Sequence, residues 1–222
     1  MFNVVRNELT PASLADRRKY DSEDVWEALN RVFHKKCYIC ETIEPQDINV
    51  EHFVPHKGDE DLKFDWNNLY FSCARCNNIK LAKYDDLLDC CDPDTDVIQA
   101  IKYLPPTTPY AKHLQIEAQR DDDKTKLTAE FLNKVFNSDH TPNKAVSSSF
   151  LRRRVFDQYN LLLEQLNNYY APTALLEEKA ITVERIKRLL KPSSPYSAFI
   201  SWCVIEDSEL GPMLQEFIGI SE

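Results

Sequence analysis

Glycine is scarce in this chain. Its 222 residues include only three, and the twelve prolines fall mostly at segment boundaries, which excludes a collagen-like or low-complexity polymer. No apolar run reaches the roughly 18 residues that a membrane-spanning helix needs, so no membrane association is expected. The N-terminal stretch MFNVVRNELTPASLADRRKY lacks the apolar segment of a secretory signal. A basic excess is missing too: the net charge is −9, and the surplus of acids is greatest over 86–141. Nucleic-acid binders that act alone carry a basic footprint. A chain of this charge either touches such a substrate locally or is delivered to it by a partner.

What is present suffices for one folded domain or two small ones, with 43% hydrophobic and 11% aromatic residues. Seven cysteines without a secretion signal point to thiols and metal rather than disulfides, and so to a reducing cytoplasm.

Periodicity predicts an α+β protein dominated by helix. A short helix is expected over 12–20. A better one follows from an Asp21 or Ser22 cap, with Val25, Trp26, Leu29, Val32 and Phe33 on one face. It ends in His34, Lys35 and Lys36, cations suited to a helix C-terminus. Residues 48–54 read as a strand stopped by Pro55, 57–66 as a charged loop, and 68–72 as a second short strand. A helix begins at Ala74, with Ile79, Leu81, Tyr84, Leu87 and Leu88 as its apolar positions. Three parts result: a metal-rich module over 1–88, a connector over 89–124 that packs irregularly or as short strands, and a helical region over 125–222. In that last region, helices are expected over 125–136, 147–170 and, as one helix or a kinked pair, 174–191, with a helical tail over 196–217. It is the expected docking surface for a partner.

The stretch 37–80 concentrates the chemistry. Cys37-x-x-Cys40 and Cys73-x-x-Cys76 supply four soft donors, the set of a structural tetrahedral zinc site. Cys90, Cys91 and Cys203 read as packing residues; the adjacent pair joins a metal site only where the connector folds back. A zinc ion held by four thiolates has no open position and cannot itself activate water. Between the pairs lie Glu51-His52 and Asn67-Asn68, and Asn77 follows Cys76. Together they offer a hard anionic ligand, a base of near-neutral pKa and neutral oxygen ligands, a set suited to one Mg²⁺-like ion and a phosphodiester. In a regular strand Glu51 and His52 face opposite sides, so both address one site only where the strand ends or bends.

At these residues the sequence resembles the HNH nuclease family, with its zinc-knuckle ββα-metal fold. The family pattern is Cys-x-x-Cys, an acid–His pair before proline, Asn-Leu, and Cys-x-x-Cys-Asn/His-x-x-Lys. Here it is met by Cys37/Cys40, Glu51-His52 with Pro55, Asn68-Leu69, and Cys73/Cys76-Asn77 with Lys80. The resemblance implies His52 as general base, Glu51 and Asn77 as ligands of a catalytic Mg²⁺ or similar ion, and Asn68 as the asparagine that holds the ββ loop and orients the base. His56 completes the catalytic candidates; it contacts phosphate, replaces a metal ligand, or is simply exposed. Lys80 meets phosphate or is solvated. His34, His113 and His140 have no supporting context.

A narrower likeness lies in Lys-Cys-x-x-Cys-Glu, Glu-His-Phe-x-Pro, the Asp92-Pro93 step and the Ser-Pro-Tyr-Ser-Ala-Phe tail. These are similar to the PtuB effector nucleases of Septu-type and retron-associated anti-phage systems. That likeness implies a bacterial cytoplasmic toxin acting on nucleic acid. It further implies pairing with an ABC/SMC-like (PtuA-like) ATPase and, in retrons, restraint by a reverse transcriptase with its RNA–DNA hybrid. Two alternatives stay open: an inactive zinc-stapled adaptor in such a complex, and a ribonuclease acting on tRNA. Arg152-Arg153-Arg154 and the 179–191 cluster of Lys179, Arg185, Lys187, Arg188 and Lys191 read either as phosphate contacts or as a solvated, ion-paired helix face.

Overall fold

The computed structural model describes residues 1–139 and 147–219; His140 lies outside them. The chain is α+β and mostly helical, with two small antiparallel sheets. Among the described residues no helix is long and apolar enough to cross a membrane.

Helix α1, Glu23–Val32, starts with Glu23 and Asp24 in its first turn and buries Val25, Ala28, Leu29 and Val32. Residues 12–20 form only a 3₁₀ turn, Ala12–Asp16. After α1 the backbone takes left-handed values at His34 and Lys35 (φ 52° and 60°), which turn the chain into the first cysteine pair. Lys36 is therefore no solvated helix-end cation. It is fully buried, and its ammonium donates to Glu41 Oε2 at 3.0 Å and to the carbonyls of Pro192 and Ser194 at 2.7 Å.

Strand β1, Ile48–His52, pairs antiparallel with β2, Leu69–Cys73, in the register Ile48 opposite Cys73 and His52 opposite Leu69. Between them, 57–66 is not all loop: Asp59 caps α2, Glu60–Phe64, by accepting from the backbone N–H groups of Asp61 and Leu62. Helix α3, Ala74–Lys80, follows β2 directly. It stops well short of Leu88, because Leu81 takes φ 43° and leaves its side chain 66% exposed. Tyr84, Leu87 and Leu88 are buried nonetheless, reached by a segment held from α5: Tyr84 Oη donates to Glu130 and Leu88 N to Thr128 Oγ1. Tertiary hydrogen bonds here override the helical spacing.

The connector contains α4, Val97–Ala100, and the strand pair β3, Ile101–Leu104, and β4, Gln115–Ala118. Two carboxamides one turn apart on α5, Asp123–Asn137, serve the other edge of β4. Asn133 Oδ1 accepts from Ile116 N and its Nδ2 donates to Ile116 O; Asn137 does the same for Leu114. The edge is thus satisfied by side chains in place of a third strand.

Helices α6 (Ser148–Tyr169), α7 (Leu176–Leu190, unbroken), α8 (Ser197–Ile205) and α9 (Leu210–Leu214) complete the chain. One apolar core runs from Met1 to Trp202 and takes in the cysteine module, the connector, α5 and α8. A second joins α6 to α9 through Leu162, Ile186, Ile200 and Leu210. Helix α8 feeds both and is buried nearly all round, as expected of a helix without a polar face.

Candidate metal centre and catalytic cavity

The four cysteines come from three local structures. Cys37 and Cys40 sit on the turn after α1, Cys73 ends β2 and caps α3, and Cys76 lies in the first turn of α3. Tyr38 N donates to Phe71 O at 3.0 Å and Ala74 N to Asp47 O at 2.7 Å, fixing one pair against the other. All four thiols are buried, and their sulfurs lie within 4.8 Å of one another. A tetrahedral zinc site with Zn–S of about 2.3 Å places its sulfurs about 3.8 Å apart, and Cys40 Sγ lies 3.9 Å from Cys73 Sγ. The four can hold a metal such as zinc, and the donor set is closed.

The second cavity, about 320 Å³, opens beside α3 and is lined by Tyr20, Glu51, His52, His56, Asn77 and Lys80 among others. Neighbouring Glu51 and His52 both reach it because β1 ends there: Phe53 N donates to Asn68 O and the chain bends away toward Pro55.

Glu51 is 5% exposed. Its Oε1 accepts from Lys80 Nζ at 2.9 Å and from Tyr38 Oη at 3.2 Å, while Oε2 is buried with no hydrogen-bond partner. Burial raises this carboxyl above its ordinary value, against the pull of Lys80.

His52 Nε2 lies 3.0 Å from the Lys63 carbonyl. A carbonyl only accepts, so Nε2 carries the proton and the lone pair of the neutral ring sits on Nδ1. Tyr20 meets the ring edge-on at 4.6 Å, and the His56 ring lies 4.7 Å away. Burial lowers the His52 pKa, the Lys63 carbonyl opposes that, and the charges of His56, Lys63 and Lys80 act with the burial. His56 Nδ1 accepts from Gly58 N at 3.2 Å, which leaves Nε2 as the donor.

Asn68 is a clamp. Its Oδ1 accepts from Val54 N at 2.7 Å, and its Nδ2 donates to the carbonyls of Val54 and Leu62 at 2.9 Å. The loop that carries Pro55, His56 and the Lys63 carbonyl closes on this one amide. Asn77, part-buried in the first turn of α3, lines the cavity with Glu51 and His52.

Two expectations are corrected. Lys80 neither faces solvent nor is free for phosphate: it is 2% exposed and, besides Glu51, donates to Phe53 O at 2.7 Å and His52 O at 3.3 Å. Arg152 is likewise buried, with Nε donating to Ala111 O and Nη1 to Phe136 O, so it belongs neither to a phosphate surface nor to a solvated face. Arg153 pairs with Asp157 at 2.8 Å on the exposed side of α6. Tyr38 and Tyr20 were missed from the sequence. Tyr38 lies inside the first Cys-x-x-Cys pair, a position that reads only as knuckle, and no motif marks Tyr20.

No family model, curated protein or solved structure matches the chain.

Proposed function

We propose that this chain is a divalent-metal-dependent endonuclease of the HNH type, stapled by structural zinc at Cys37, Cys40, Cys73 and Cys76. The observation that carries the reading is that one open cavity is lined both by Glu51, whose Oε2 is buried with no hydrogen-bond partner, and by His52, whose Nδ1 is left to accept. A buried anionic oxygen without a donor is costly, and a hard cation satisfies it. Glu51 Oε2 and the Asn77 carboxamide would hold that cation, Mg²⁺ or a similar ion. When bound, it supplies Lewis-acid polarisation of a phosphodiester and its leaving oxygen.

The protein's own residues do the rest. Lys80 and Tyr38 fix Glu51 through Oε1 and so aim Oε2. The Lys63 carbonyl holds His52 in the tautomer whose Nδ1 takes a proton from attacking water, and lowered basicity keeps that ring neutral beforehand. His56, as an Nε2–H donor, is suited to a phosphoryl oxygen. Asn68 positions the loop that carries His56 and the Lys63 carbonyl and does not touch the reacting atoms.

The net charge of −9 argues that a partner supplies the grip on nucleic acid. An ABC/SMC-like ATPase, with or without a retron reverse transcriptase and its RNA–DNA hybrid, is that partner in the defence-effector form of the reading. The test incubates wild-type and His52→Ala protein, each alone and with the ATPase, with DNA and with total RNA, with and without Mg²⁺. Loss of a general base lowers the rate about 10²- to 10⁴-fold, and cleavage should vanish without the ion. The nucleic acid consumed decides between a DNase and a ribonuclease acting on tRNA. Equal cleavage by His52→Ala overturns the catalytic assignment. Defence that survives in both His52→Ala and Glu51→Ala would leave a zinc-stapled adaptor.

A further inference from the structure

We infer that Asp89, Cys90 and Cys91 form a second, open-sided site for a soft divalent cation such as zinc or cadmium. In an extended chain neighbouring side chains point to opposite faces. Here the backbone turns at 90–91, and Asp89 Oδ1 accepts from Cys91 N at 2.7 Å, folding the carboxylate back over the turn. The ligand atoms of all three residues lie within 4.8 Å of one another. The connector folds back at its start: Tyr70 Oη of β2 donates to Asp89 Oδ1, and Val4 N donates to Cys90 O at 2.8 Å.

A second observation points to an anion-rich site. Arg6 stacks over Tyr70 with its guanidinium carbon 4.6 Å from the ring centroid, and it donates to the carbonyls of Trp66 and Leu69. Its Nε is buried with no hydrogen-bond partner. Burial disfavours its charged form, and the neighbouring Cys91 and Cys90 favour it. Two thiolates and a carboxylate carry three negative charges, which a divalent ion and Arg6 balance. Tyr70 Oη donates to Asp89 Oδ1, the kind of outer partner that orients a metal-binding carboxylate.

Thiolate donors select zinc or cadmium over magnesium and calcium. Binding converts two thiols to thiolates and releases their two protons to solvent. Cys90 is buried and Cys91 part-exposed, so the site opens on the Cys91 side, where water or an external thiol completes the coordination. The four-cysteine centre has no such opening.

The full-length protein, zinc-loaded at the four-cysteine centre and kept under a phosphine reductant, is titrated with Cd²⁺ in Mg²⁺-free buffer. We expect one further ion per chain, a thiolate-to-cadmium absorption band and release of two protons. Cys91→Ser, at a part-exposed position, should bind that ion at least tenfold more weakly with an unchanged circular-dichroism spectrum. Glu51→Gln should bind it like wild type, which separates it from the proposed hard-ion cavity. Absence of a further ion in wild type, or wild-type uptake by Cys91→Ser, overturns the site.

Discussion

The ammonium of Lys80 lies 2.9 Å from Glu51 Oε1, with both residues at or below 5% exposure. The last residue of α3 thereby supplies the counter-charge for the acid at the end of β1, and its other contacts, the carbonyls of His52 and Phe53, tie it to the same strand end. Removing one partner of a buried pair strands the other, at about 3–5 kcal/mol. Lys80→Met should therefore lower unfolding free energy by about that amount in a denaturant titration. A solvated lysine would give less than about 0.5 kcal/mol. Adding Glu51→Gln to Lys80→Met should recover part of the loss, since no stranded carboxylate remains, and a double-mutant cycle measures the coupling.

Asn68 tests positioning apart from chemistry. Its amide makes three hydrogen bonds to the backbone of the loop that carries His56 and the Lys63 carbonyl. At about 0.5–1.5 kcal/mol net for each bond, Asn68→Ala should cost about 2–4 kcal/mol. Exchange of the Val54 amide proton should accelerate while β1–β2 pairing persists. Asn68→Asp keeps the acceptor for Val54 N and loses both donors, so it should fall between. A wild-type exchange rate at Val54 in Asn68→Ala would refute the clamp.

The two proposed metal roles separate by what each ion's removal does. Zinc held by four buried thiolates contributes folding energy. A strong thiophilic chelator should thus depress the melting temperature and expand the chain, and Cys73→Ser, which keeps an N-cap acceptor for Cys76 N but loses one thiolate ligand, should yield zinc-poor, poorly folded protein. Removing Mg²⁺ with the zinc retained should abolish cleavage at an almost unchanged melting temperature. A chelator that stops cleavage and unfolds the protein in parallel at every dose would argue against two separate sites.

Much of this was legible from residue spacing. The α1, α5 and α6 stripes, the β1–β2 pair and the two cysteine pairs all rest on local pattern, and the structure holds them except at Trp26, expected in the α1 stripe but 38% exposed. What was not legible depends on partners distant in sequence. Helix α2 is a five-residue element nucleated by the Asp59 cap in a stretch whose composition reads as loop. The early end of α3 follows from bonds to α5 that no periodicity contains. The four-residue gap between Asn133 and Asn137 marks one helix face, yet nothing in it says that the face closes a strand edge. Charge misled most: Lys36, Lys80 and Arg152 read as surface residues and are buried, each held by main-chain carbonyls. Composition cannot distinguish a lysine that snorkels from one that staples.

Lys36 makes the sharpest case of a staple. Its ammonium, 3.0 Å from Glu41 Oε2, also meets the carbonyls of Pro192 and Ser194, and Ser197 Oγ donates to the same Glu41 oxygen at 3.0 Å. Glu41 follows Cys40 directly, so the pair bonds the first cysteine knuckle to the turn between α7 and α8. Lys36→Met leaves Glu41 with the Met1 ammonium at 3.4 Å and Ser197 Oγ as partners, so it should cost less than the about 3–5 kcal/mol of a fully stranded charge. The double substitution Lys36→Met with Glu41→Leu removes both charges. Desolvating the pair offsets most of its attraction, but Glu41→Leu also takes the carboxylate from the buried Met1 ammonium, so the double variant should recover only part of the loss. If the staple also sets the knuckle, zinc release from Lys36→Met should be faster than from wild type in a competition with a chromogenic chelator, and the double variant should fall between. Unchanged zinc release alongside the stability loss would confine the pair to joining α7 and α8 to the rest of the fold.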